Sequence, residues 1–152
     1  MAIRLVIFLF LNFGALAIGV TLMGDGASSD WYLQLNKAPW TPPGWSFGVA
    51  WTVIMIGFAI YMSYAFEAVS NKPALLILFG IQWILNTSWS PLFFRYHQSM
   101  SGLLIISLLT FLVAYLLFAY LPRFKAKSLF ILPYFVWLLI ATSLNAYIAI
   151  RN

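Results

Sequence analysis

The sequence has no cysteine, a single histidine and only three acidic residues among its 152 positions. Without cysteine there is no disulfide and no thiolate nucleophile or metal ligand. The one histidine, His97 in the turn RYHQS beside Arg95, cannot alone supply a zinc site or paired haem ligation, and it reads as a solvated loop residue. No serine, histidine and acid can assemble as a hydrolase triad, and no glycine-rich phosphate loop occurs. The acids Asp25, Asp30 and Glu67 all stand at or beyond the ends of apolar runs. A proton- or ion-coupled pump normally holds such groups inside the bilayer, so that class is disfavoured. The inverted repeats of many secondary transporters are missing as well.

What is present is apolar. Hydrophobic residues make up 64% of the chain and charged ones 7%, against about half and a quarter in soluble domains. A membrane-spanning helix needs about 20 apolar residues, and five such runs occur, near 5–23, 45–66, 74–93, 101–121 and 129–150. The expected fold is therefore an all-α integral membrane protein, a bundle of five transmembrane helices forming one domain over residues 1–152. Arg4 before the first run and GDGASS after it are also features of a signal peptide, but the 19-residue run exceeds the about 7 to 15 residues of a signal core. Arg4, Lys72, Arg123, Lys125 and Lys127 fall on one side; Lys37, Arg95 and Arg151 fall on the other with Asp25 and Asp30. That distribution predicts a cytoplasmic N-terminus, with the C-terminus and the 24–44 loop outside. The net charge of +5 then reads as topology and contact with anionic headgroups, not nucleic acid.

The polar residues inside the runs fall at helical spacing. Gln82, Asn86, Ser90 and Phe93 share a face of span three with Trp89 beside them; Tyr134, Trp137, Ala141 and Asn145 do so in span five, and Trp51, Met55 and Phe58 in span two. Singly, each amide reads equally well as glue between helices and each tryptophan as packing or an interface anchor. Depth argues for more. Trp89, Asn145, Trp51 and Asn86 lie roughly 6 to 10 Å below the outer helix ends, with Ala141 and Trp137 at roughly 13 and 20 Å. Three stripes thus converge in the outer half of the bundle, beneath the 24–44 segment. Aromatic walls, a small residue and a few amides suit a flat, largely apolar ligand.

The stretch KAPWTPPGWSFGVAW over residues 37–51 fits this arrangement. Proline is tolerated in the first turn of a helix and holds the residue before it extended. Thr41 is the expected N-cap, with Pro42 and Pro43 in the first turn of span two. Trp40 and Trp45 suit the interface and Trp51 the interior.

This stretch, together with QWILNTSWSPLFF at 82–94 and VWLLIATSLNAYIAIR at 136–151, resembles the TspO family of tryptophan-rich sensory proteins and mitochondrial translocator proteins over nearly the whole chain. The resemblance implies a five-helix bundle in the cell membrane, usually dimeric. It implies binding of tetrapyrroles such as protoporphyrin IX, of isoquinoline and benzodiazepine-type drugs and, in some members, of sterol. It places Tyr32 and Pro42 in a lid, Trp51 on span two, Asn86 and Trp89 on span three, and Trp137 and Ala141 on span five; Asn145 joins them by helical phase. Light-dependent oxidative breakdown of porphyrin, with Trp51 and Trp137 as electron-rich partners, is also implied, the porphyrin being substrate and no cofactor being required. A porphyrin transporter and a ligand-gated sensor or scaffold are the alternatives. For sterol, Leu144, Tyr147 and Arg151 meet only the loose spacing of a recognition motif. For dimerisation the sequence offers no GxxxG, only Ala15 with Gly19 on span one.

Overall fold

A computed structural model describes all 152 residues. Five long helices are apolar enough to cross a membrane: α1 (Ala2–Leu22), α3 (Gly44–Ala68), α4 (Lys72–Ser90), α5 (Ser99–Phe124) and α6 (Leu132–Arg151). A one-turn helix, α2 (Asp30–Gln34), lies in the connection after α1. The spanning helices close into a ring in the order α1, α3, α6, α5, α4. Each wraps a core of Phe, Leu, Ile and Met side chains, while residues such as Ile3, Phe10, Phe111 and Ile150 point outward. Such an outer surface is stable only against lipid.

Local chemistry fixes the helix ends. Asn71 caps α4 by accepting from the Ala74 N–H, and Pro73 occupies its first turn. The entry to α3 differs from the expectation. The helix begins at Gly44, with Pro43 as N-cap, and the Thr41 hydroxyl donates instead to the Ala38 carbonyl. That bond, with Thr41 N–H to the same carbonyl, closes a turn over 38–41 and leaves the prolines extended ahead of the helix. Span five starts at Leu132, because residues Lys125–Phe130 form a 3-10 segment that joins α5 to it.

Between helices, polar side chains repeatedly donate to backbone carbonyls. Asn12, on none of the polar stripes, is buried on α1 and donates to the Met55 carbonyl of α3 at 3.0 Å. Trp83 of α4 donates to Leu11 of α1, and Tyr61 of α3 to Leu116 of α5. Gln82 donates to the Tyr134 hydroxyl at 2.8 Å, and Phe58 packs edge-on against that ring. Both aromatic residues are fully buried. With no water at this depth, each such bond removes a polar group that lipid could not satisfy.

Candidate ligand-binding site

Above the Gln82–Tyr134 pair the helices separate. α4 ends at Ser90 because Pro91 has no N–H to continue it, and Pro91–Arg95 form a π turn closed by Tyr96 N–H to the Pro91 carbonyl. The wider turn brings two successive aromatic residues, Phe93 and Phe94, to the inner face. Trp89 stacks on Phe93 at 5.4 Å, and its indole N–H donates to Asn145 Oδ1 of α6 at 2.9 Å. Asn145 in turn donates to the Ser99 carbonyl at the start of α5. Gly102 makes the room: a Cβ there would stand 3.2 Å from both Asn145 Oδ1 and Phe93. One amide thus ties three helices together behind the Trp89 ring.

The result is a cavity of about 510 Å³, within the range of about 300 to 1,000 Å³ usual for small-molecule sites. Tyr32, Pro42, Trp51, Asn86, Trp89, Ala141 and Asn145 all line it. So do Phe47 of α3 and Ala15 and Gly19 of α1, which the sequence reading had not placed there. Small residues at 15 and 19 were the available signal: they let α1 approach α4, with Gly19 against Ser90, and are buried within the chain. The turn-breaking Pro91 was the corresponding signal for Phe94.

Trp137 is the exception. Phe47 lies against its indole at 5.2 Å and 84°, on the cavity side, so Trp137 faces a groove on the opposite side of the α3–α6 contact. Expected in the ligand wall, it stands one ring behind it. Met55 and Phe58 are likewise core residues: they fill the interior below Trp51, whose ring meets Tyr134 edge-on at 6.2 Å.

The lid is fastened on two sides. Gly24 and Gly26 at positive φ turn the chain back after α1, and Ser29 caps α2 by accepting from the Tyr32 N–H. Trp31 packs edge-on against Phe93 and stacks on His97 at 4.3 Å, while Tyr32 contacts Phe94. His97 is therefore an exposed loop residue, as expected, that also holds the lid. On the far side, Asn36 and Asn152 exchange hydrogen bonds, and Trp40 donates to Ser143 and packs on Tyr147. Trp45, in the first turn of α3, is exposed. Burial raises the pKa of the Tyr32 phenol, so the group remains a neutral hydroxyl at ordinary pH.

No charged side chain lines the cavity. Asn145 is satisfied by its helix-bridging bonds, but Asn86 and the Trp51 indole N–H, on two residues that line the cavity, make no hydrogen bond within the chain. The site can therefore offer stacking surfaces, a neutral amide and an indole donor. It has no group of four ligands for a metal, and no cluster of three histidine, cysteine or acidic residues occurs.

Comparison with known proteins agrees with the architecture. The model of the TspO/MBR family matches residues 6–151. The tryptophan-rich protein TspO of Archaeoglobus fulgidus is 36% identical over 124 residues, covering 80% of each chain. The protein of the same name from Chlorobaculum tepidum is 33% identical, covering 86% of this chain and 90% of its own. The translocator protein of Bos taurus is 31% identical over 79% of this chain and 73% of its own.

Proposed function

Because the chain belongs to the TspO/MBR family of membrane proteins, we propose that its lidded cavity binds flat, largely apolar ligands, namely tetrapyrroles such as protoporphyrin IX and isoquinoline or benzodiazepine-type molecules. We propose further that it promotes light-dependent oxidative degradation of bound porphyrin, and that the lid faces outward from the cell membrane. The observation that supports binding best is the composition of the cavity wall. Trp51, Trp89, Phe47 and Phe93 surround a space with no charge in it, and offset or edge contacts between rings contribute ~0.5 to 1.5 kcal/mol each beyond burial. Asn86 and the Trp51 N–H are free to meet a carbonyl or ring nitrogen.

For photochemistry, Trp51 is the electron-rich ring that a bound, excited porphyrin would touch. Trp137 could contribute only through Phe47. The transporter reading has less support, because Tyr134, Gln82 and Phe58 pack the interior below the cavity, and the acids stand at span ends, Glu67 paired with Arg4, with none in the interior to couple movement to an ion.

Binding and chemistry separate experimentally. Trp51→Phe should weaken porphyrin binding about five- to tenfold, as expected for losing ~1 kcal/mol of stacking, and should stop light-driven degradation even at saturating ligand. Trp137→Phe should leave the affinity within about twofold. Degradation by saturated Trp51→Phe at the parental rate, measured by loss of the porphyrin absorbance band, would remove the photochemical role.

A further inference from the structure

On the lipid-facing side of the bundle, away from the lidded cavity, α3 and α6 part to leave an open groove of about 460 Å³. Val53 and Ile54 of α3 and Leu132, Val136, Trp137 and Ile140 of α6 line it, and apart from the indole its walls are aliphatic. At the N-terminal side of the bundle the groove meets the Lys125–Phe130 segment. There the Phe130 carbonyl sits so close to α3 that a Cβ on Gly57 would be 2.5 Å from the oxygen.

The α3 wall continues past that contact. Ala50, Gly57 and Tyr64 repeat every seven residues and so share one stripe. Tyr64 stacks with Phe130 at 6.2 Å, and the Lys127 ammonium stands over the Tyr64 ring at 4.3 Å. Ten residues separate Ile54 from Tyr64, a rise of roughly 15 Å, or about half of a ~30 Å hydrocarbon core. The groove and the lysine are thus spaced as the chain and headgroup of a lipid in one leaflet.

Three exposed cations, Arg123, Lys125 and Lys127, stand within and just before this segment, and Lys127 is held toward the groove's end by the Tyr64 ring. Arg123 donates to the Ala68 carbonyl at the end of α3, and the chain's ion pair, Arg4 with Glu67, leaves all three uncompensated. Lys125 has φ +48°, a conformation that glycine would adopt with less strain, yet a charged residue stands there.

We infer that this groove and its basic end form a binding site for one anionic phospholipid. The phosphate is held at Lys125 and Lys127, and an acyl chain lies along Val53, Ile54, Leu132 and Val136. A zwitterionic lipid would fill the groove but leave the cations uncompensated. A second copy docked two-fold through the same face would bring two such clusters together at one level of the membrane.

The test is native mass spectrometry of the full chain released from nanodiscs holding equal amounts of phosphatidylglycerol and phosphatidylcholine. Retained phosphatidylglycerol should exceed phosphatidylcholine about five- to thirtyfold, as expected for two ammonium groups at an anionic headgroup. Lys125→Gln with Lys127→Gln should bring that ratio near one. Val53→Trp with Val136→Trp, both at lipid-exposed positions, should remove the retained lipid while leaving the unfolding temperature unchanged. A ratio near one in the parental protein, or one that the lysine changes do not alter, overturns the headgroup assignment. Retention that survives groove filling overturns the groove. Because the chain has no native cysteine, Val53→Cys can be crosslinked cleanly, and efficient coupling of two copies would give the face to a protein partner instead.

Discussion

Asn145 shows how one side chain can serve both stability and the shape of the cavity wall. It accepts from Trp89 and donates to Ser99, so its amide sets the angle at which the Trp89 ring faces the cavity. Asn145→Leu keeps the volume but leaves an indole N–H and a carbonyl without that partner. Cross-helix hydrogen bonds in membranes average about 0.6 kcal/mol, and stranding a buried donor costs about 1 to 3 kcal/mol. We expect a loss of about 1 to 2 kcal/mol in stability, read as a lower unfolding temperature in detergent, together with weaker ligand binding because Trp89 is no longer held. Asn86→Leu should differ: it lines the cavity without a protein partner, so it should change affinity and leave the unfolding temperature nearly constant. Equal destabilisation by the two variants would contradict this division of roles.

Among the elements, the lid and the end of α4 form one unit. Trp31 is clasped by Phe93 and His97, and Tyr32 by Phe94, the two phenylalanines presented by the π turn at Pro91 and His97 by the loop that follows it. Trp31→Ala should release the lid and raise the rate of ligand dissociation more than it lowers the association rate. Stopped-flow kinetics would check this, and an unchanged dissociation rate would show that the lid does not confine the ligand. This unit was only partly legible in the sequence. Helical phase correctly put Asn86, Trp89 and Asn145 on inward faces, because i, i+4 and i+7 spacing is a property of the helix alone. It also carried Trp137 inward, because the phase of α6 alone cannot show that Phe47, one turn before Trp51 on α3, fills the space between. Pro91 changes the phase beyond it, so Phe94 was lost to a reading that assumed 3.6 residues per turn. Thr41 failed as an N-cap for a similar reason: its hydroxyl found a nearer acceptor in Ala38.

For the whole molecule, composition and run length already dictated five apolar helices, since nothing else of this hydropathy can satisfy its backbone in lipid. The ring order and the position of the cavity required the contacts, above all the approach of α1 to α4 at Gly19 that makes α1 a cavity wall. Orientation is a separate expectation. With Arg4, Lys72, Arg123, Lys125 and Lys127 on one side, a fluorescent reporter fused to the N-terminus should be active in the cytoplasm and one fused after Asn152 should not; the reverse pattern would place the lid inside.

On the proposed function, ligands enter the lidded cavity beside Ala141, which is buried on α6 and lines that space. A dark absorbance and fluorescence titration of purified protein with protoporphyrin IX tests it, comparing the parental chain with Ala141→Leu. Saturable binding is expected, weakened at least about tenfold by Ala141→Leu with the helical content and unfolding temperature unchanged. Equal affinity in the two proteins would place the ligand elsewhere.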